Sequence, residues 1–160
     1  MFPWSEDSSE CKCVKQELRN SIAKAIEDGY QYFITGGATG VDTWAAEIIL
    51  DMKNKGMEIF LEIAKPWQNY NESLGQRYQD IERAADYITE ISTQDDFRKA
   101  FEKRDHYMID NSQRITVVYD DESKVFSGTY RALLYAKMKD IEIIQIPWMK
   151  ITENIKDTTL

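Results

Sequence analysis

Hydrophobic positions along the chain change period repeatedly, from the three-to-four spacing of a helix face to the short unbroken runs of buried strands. Val14, Leu18, Ile22, Ala25 and Ile26 share one helical face, and Gly29 is placed to end that helix with a left-handed cap. Tyr32-Phe33-Ile34 is a β-prone run that stops at Gly36-Gly37. Val41, Trp44, Ala45, Ile48, Ile49 and Met52 then resume a helical stripe, closed by Gly56. The alternation predicts a strand over Met57–Ile63, punctuated by Pro66, and a helix from about Tyr70 to Ala85 that Gly75 weakens near its start. A strand over Tyr87–Ile91 and a helix over Phe97–Ile109 follow. Ile115-Thr116-Val117-Val118-Tyr119 is the clearest strand, because β-branched residues dominate it. After an acidic stretch, Asp120 to Lys124, come Ser127-Gly128-Thr129, a helix through Met138, and a last strand over Ile141–Ile146 stopped by Pro147. Near-continuous apolar strands alternating with helices predict an α/β, Rossmann-like parallel sheet with helices on both faces. The whole reads as one domain, residues 1–13 forming an irregular lead and 148–160 a C-terminal tail.

Composition narrows the partners. Hydrophobic residues make up 42% and charged residues 30% of the 160, and the charges are interspersed among apolar runs, which argues against disorder. Twenty basic against 28 acidic side chains leave a net charge of −8, a sign that repels nucleic acid and acidic membranes. No stretch approaches the roughly 18 apolar residues of a membrane span, and Met1-Phe2-Pro3-Trp4 lacks the basic start and apolar run of a signal peptide. Cys11 and Cys13, one residue apart, suit neither a disulfide framework nor a four-ligand zinc site. His106 is the sole histidine, so a Ser-His or Cys-His pair is poorly supplied. These features predict a reduced cytoplasmic protein with free thiols and no resident metal or cofactor.

In an open parallel sheet, ligands collect beyond the carboxyl ends of the strands. That rule selects Thr35–Asp42, Ala64–Tyr70, the stretch from Ser92 to about Arg104, and Asp120–Thr129. In the first, Gly36, Gly37, Ala38, Thr39 and Gly40 form a loop whose glycines let backbone approach an anion, with a helix beginning at once behind it. The pattern is neither G-x-G-x-x-G nor a Walker A loop, and tight helix–strand packing also uses such turns. Asp42 either caps that helix or accepts from ribose hydroxyls. Ser127, Gly128 and Thr129 offer a second amide-rich helix start, with ordinary capping as the alternative. Arg104 shares a helical face with Phe97, Phe101 and Met108. It reaches the ligand mouth, pairs with a buried carboxylate, or snorkels to solvent. Trp67 stacks on a base or packs against its own helix. The acidic pairs and triplets, Asp95-Asp96 and Asp120-Asp121-Glu122, lack calcium-loop spacing. Cys11-Lys12-Cys13 reads as an exposed pre-helix segment, His106 as solvated, and Asn111-Ser112 as structural.

With these residues in view, Phe33-Ile-Thr-Gly-Gly-Ala-Thr-Gly-Val-Asp-Thr-Trp-Ala-Ala-Glu-Ile-Ile-Leu50 resembles the YpsA-like branch of the SLOG superfamily, which also holds the Smf/DprA proteins and the LOG phosphoribohydrolases. Arg77-Tyr78, Ala85-Asp86, Arg104 before Tyr107-Met108-Ile109-Asp110, the strand from Ile115 and Ser127-Gly128-Thr129 extend the likeness from about Leu18 to Ile146. The resemblance implies a nucleotide or nucleotide-derived small-molecule ligand at the glycine loops. It also implies a further strand, ending in a Thr-Gly-x-x-Pro turn, ahead of the segment like Phe2-Pro3-Trp4. That strand has no counterpart here. Its lack would leave an unpaired edge open to strand exchange and a homo-oligomer. The LOG enzymes place a catalytic glutamate three residues after their Gly-Thr, where this chain has Ala132, and a methyl group does no acid–base work, which leaves Asp42 or Glu47 to substitute. Binding or sensing of the ligand is therefore expected ahead of LOG-type N-glycoside or phosphate-ester hydrolysis, with DprA-like single-strand DNA binding opposed by the net charge.

Overall fold

The computed structural model describes residues 5–92, 96–119 and 127–157. Phe2-Pro3-Trp4, Asp95 and the acidic stretch Asp120–Lys124 lie outside them. In chain order the elements are α1 (Ser9–Glu27), β1 (Tyr32–Thr35), α2 (Val41–Asn54), β2 (Phe60–Lys65), a 3-10 turn (Tyr70–Leu74), α3 (Gln76–Ala84), β3 (Tyr87–Glu90), α4 (Phe97–Asp110), β4 (Arg114–Val118), α5 (Gly128–Met138), β5 (Glu142–Ile146) and α6 (Trp148–Asp157). The α/β architecture with parallel strands is as the patterning predicts. The strands form two sheets, β1-β2-β3 and β4-β5. The chain correspondingly divides into two compact units, one made of residues up to Ala25 and from Gln113 onward, the other Ile26–Ser112.

In the Ile26–Ser112 unit, β1 and β2 pair in parallel from Tyr32↔Phe60 to Thr35↔Ile63, and β2 and β3 from Glu62↔Tyr87 to Lys65↔Glu90. Side chains alternate along β2, so Leu61, Ile63 and Lys65 point to one face and Glu62 and Ala64 to the other. Lys65 Nζ meets Glu82 of α3 at 2.6 Å, which puts α3 on the first face, with α2 packed beside it. Tyr107 of α4 donates to Glu62 Oε1 at 2.7 Å, which puts α4 on the second. Both faces of this sheet are thus covered. Leu61, Ile63, Ile49 and Trp44 fill the first layer, each large apolar side chain contributing about 1.5–3 kcal/mol by leaving water.

β2 carries charge as well as apolar bulk. Glu62, 4% exposed, sits mid-strand and accepts from Thr89 Oγ1 at 2.6 Å as well as from Tyr107. Burial, and then the Glu62 carboxylate, push the Tyr32 phenol up to about 12. Lys65 is buried at the strand's carboxyl end and also donates to the Gln68 carbonyl at 2.7 Å, fixing the turn that carries Trp67. β2 runs on to Lys65 instead of ending at Ile63 because Ala64 and Lys65 still pair with Thr89 and Glu90 of β3, and the Lys65–Glu82 ion pair holds that end in place.

In the other unit β4 and β5 pair in parallel from Arg114↔Glu142 to Val118↔Ile146, and Val117, Tyr119 and Leu133 form a small core with Ile115, Tyr130 and Ile143 against it. Val14, Leu18 and Ile22 of α1 are buried, and Ser21 Oγ lies 3.0 Å from Thr116 Oγ1.

Several expectations need correction. The 70–85 helix is broken at Gly75 into a 3-10 turn and α3. α1 starts at Ser9, inside the stretch read as an irregular lead, because the Ser8 hydroxyl accepts the Cys11 N–H at 3.2 Å and starts the helix early. Cys11 is buried on the Val14–Leu18 stripe, not exposed ahead of the helix; Cys11 and Cys13 are free thiols. α6 occupies Trp148–Asp157, where a tail was expected, since proline just before a helix costs no hydrogen bond. His106 is partly buried rather than solvated. Among the described residues no strand pairs with the far edge of β1 or of β4, and no helix is long and apolar enough to cross a membrane.

Candidate functional site

The loop after β1 is built around its own aspartate. Gly37 and Gly40 take φ of 65° and 85°, which turns the chain sharply into α2. The Ala38 N–H donates to Asp42 Oδ2 at 3.1 Å, and Thr43 Oγ1 donates to the Ala38 carbonyl at 2.8 Å. Both sides of that peptide are therefore tied to the first turn of α2. Asp42 thus ties the loop to the helix and places a negative charge in the first turn, where the helix dipole favours it. Thr39 is exposed at the tip, whereas Gly36 and Gly37 are buried.

Arg104 is the centre of the site. It is 7% exposed. Its Nη1 donates to the Gly36 carbonyl at 2.7 Å and lies 3.7 Å from Asp42 Oδ2, while Nε donates to Asp105 Oδ1 at 2.8 Å. The guanidinium also lies over the Phe101 ring, 5.5 Å from its centroid. Of the alternatives open for this residue, the buried carboxylate pair is realised, at the carboxyl end of β1. Gly36 is glycine because of this approach: a Cβ there would stand 1.9 Å from Nη1 and 2.6 Å from Asp42 Oδ2. Nη2 donates to no acceptor among the described residues. Thr35 Oγ1 at the end of β1 is buried and unpaired among those residues.

Two neighbours respond to this charge. Burial raises the Asp105 carboxyl above the ordinary carboxylate range, with Arg104 pulling it back down. Burial likewise raises the Tyr70 phenol, Arg104 opposing and Asp42 reinforcing. Tyr70 also belongs to an aromatic wall. The Trp67 ring meets Tyr70, Phe97 and Phe101 edge-on at centroid distances of 5.1, 5.0 and 5.5 Å, and Tyr70 meets Phe101 at 5.7 Å. Such edge-to-face contacts are favourable, so Trp67 packs on rings from α4 and the 3-10 turn.

Gly36, Ala38, Asp42 and Arg104 are thus brought together, with Gly37, Thr39 and Gly40 in the same loop. Tyr70 and Asp105 were not foreseen; Asp105 follows Arg104 directly, but adjacency on a helix gives no hint of burial. Ser127, Gly128 and Thr129 belong to the other unit, on a different sheet. Ser127 Oγ accepts the Tyr130 N–H at 3.1 Å, so it caps α5, and Gly128 and Thr129 are exposed. Ser127→Ala should lower stability by about 1 kcal/mol in urea denaturation; Ser127→Asp, which keeps the cap, should not. Glu47, a conceivable stand-in for the catalytic glutamate, is forked by Arg77 at 2.6 and 2.8 Å. Asn111 and Ser112 donate to the Tyr107 and Met108 carbonyls, ending α4 as structural residues.

Comparison with known proteins places the chain in a family. The sequence model of the YspA SLOG family matches residues 2–151. UPF0398 proteins of Staphylococcus aureus strains JH9, JH1 and COL are each 22% identical to the chain over 138 residues, covering 82% of it and 73% of the relative.

Proposed function

Because the chain belongs to the YspA SLOG family, we propose that the loop Thr35–Asp42 and Arg104 bind the polar part of a nucleotide-derived ligand. The observation that carries the reading is Arg104: a buried guanidinium, held by the Gly36 carbonyl and two carboxylates, with Nη2 uncommitted among the described residues. Burying a cation is costly, and its partners prepay that cost in the empty protein. A fork fixed this way takes a phosphate oxygen with little further ordering. The backbone of the loop is a weaker anion cradle than its glycines suggest, because Asp42 already holds the Ala38 amide. Asp42 then suits sugar hydroxyls, which donate to it, and phosphate falls to Arg104. Ser127–Thr129 enter the proposal only as capping residues with exposed neighbours.

Binding or sensing is favoured over hydrolysis. Ala132 stands where the resemblance calls for a glutamate, and Glu47 is engaged by Arg77. Thermal unfolding with nucleoside monophosphates tests this. At a hundredfold excess over Kd a ligand adds about 2.7 kcal/mol, or about 5–10 °C in Tm for a chain of this size. Arg104→Lys keeps the charge but loses the fork, and should lose that shift. An unchanged shift in the variant removes Arg104 from the site, and release of free base from the nucleotide replaces the binding reading with a hydrolytic one.

A further inference from the structure

Phe97, Phe101 and Arg104 lie at i, i+4 and i+7 on one stripe of α4, and their burial runs in the wrong order for an ordinary helix. The usual stripe hides its phenylalanines and lets its arginine reach water. Here Arg104 is 7% exposed, Phe101 is partly buried, and Phe97, in the first turn, is 71% exposed. Phe97 is nevertheless held: its ring stands against Trp67 at 69° between planes, and Asp96 caps the helix turn that carries it by accepting the Lys99 N–H at 3.0 Å. Lys65, through the Gln68 carbonyl, braces the turn carrying Trp67 from behind. A rigid, solvent-facing ring thus sits about 10 Å along the helix from a buried guanidinium, at 1.5 Å of rise per residue.

We propose that Phe97, braced by Trp67, stacks the planar base of the ligand, so that the site takes a base-bearing nucleotide and discriminates against a bare sugar phosphate. The proposal rests on the reading that the Arg104 centre holds the ligand's polar part. Phosphate and sugar occupy the buried end of the stripe and the base the exposed end, covering the apolar surface that the free protein leaves wet. Stacking on an aromatic face tolerates any base, so the discrimination is between ligands with and without a planar ring.

Titration calorimetry with adenosine 5′-monophosphate and ribose 5-phosphate on the wild-type chain, Phe97→Ala, Phe97→Trp and Arg104→Lys tests this. The wild type should bind the nucleotide at least tenfold more tightly. Phe97→Ala should lose about tenfold toward the nucleotide and nothing toward ribose 5-phosphate, and Phe97→Trp should retain the preference. Phe97 is exposed, so both variants should fold, which circular dichroism checks. Equal wild-type affinities, or a loss below twofold in Phe97→Ala, overturn the stacking role. If ribose 5-phosphate still binds the wild type and is lost in Arg104→Lys, the Arg104 reading survives that failure. Binding of neither compound to the wild type removes both.

Discussion

Gly36→Ala is expected to destabilise the protein by about 1–3 kcal/mol, the usual cost of forcing extra volume into a packed site, and to do so through Arg104 alone. Gly36 lies outside the left-handed region, so the alanine backbone is unstrained. What cannot stay is the guanidinium, because the new methyl carbon would sit 1.9 Å from Nη1 and 2.5 Å from Cζ. Arg104 must leave its place. The Gly36 carbonyl then loses a 2.7 Å hydrogen bond and Asp105 a 2.8 Å one. The flexible end of Asp42, 2.6 Å from the new atom, can rotate away at smaller cost. A double-mutant cycle isolates the cause. In an Arg104→Ala background only the flexible end of Asp42 still crowds the alanine at 36, so its own cost should fall below about 1 kcal/mol, a coupling of about 1–2 kcal/mol. Urea denaturation of the four proteins gives the result. Equal costs in both backgrounds would show that some other neighbour enforces glycine here.

That coupling marks the limit of what the sequence discloses. The helical stripes of α1, α2, α4 and α5 and the β-branched run of β4 are legible because burial of one face imposes a period, and the structure contains each of them, although α1 begins at Ser9, ahead of the stripe that starts at Val14. The Gly-Gly-Ala-x-Gly-Val-Asp stretch was also legible as a strand-to-helix loop. Its glycines admitted two physical explanations, room for an anion or room for a neighbour, and only coordinates show that at Gly36 the neighbour is Arg104. In the same way Asp42 admitted capping or ligand binding, and only coordinates show a third use, in which its carboxylate accepts from the Ala38 amide of the loop ahead of the helix. Glu62 and Lys65 were invisible for a different reason. A strand pattern reads apolar burial, and buried charges on β2 are stabilised by partners 17 to 45 residues away, Glu82, Thr89 and Tyr107. The division into two sheets was not legible either, since patterning within a strand does not say which strand lies beside it. Among the described residues the outer edges of β1 and β4 are unpaired, and their uncharged central residues lack the defences that edge strands usually carry.

Arg104→Gln should cost about 3 kcal/mol at neutral pH, the low end for breaking a buried pair, because Asp42 and Asp105 retain some contact with water. The cost should depend on pH, and its sign follows from Asp105. Burial already raises this carboxyl in the folded protein above its unfolded value, and Arg104 is the force that restrains the rise. A carboxyl whose folded pKa is raised binds its proton more tightly in the native state. It therefore favours folding below the unfolded pKa, and that contribution is lost as pH climbs through the folded one. Without Arg104 the folded pKa climbs further, and the window of loss extends toward neutrality. The gap in stability between wild type and Arg104→Gln should accordingly narrow as pH is lowered from 7 toward 4.5, where the variant's Asp105 takes up its proton and needs no cation. Adding Asp105→Asn to Arg104→Gln removes the buried charge outright and should recover a substantial part of the loss at pH 7 while flattening the pH dependence. Denaturation curves for the three proteins across that range measure both effects. A gap that stays constant from pH 7 to 4.5, with no recovery in the double variant, would mean that Arg104 stabilises the fold by packing over Phe101 and Gly36 and not by neutralising Asp105.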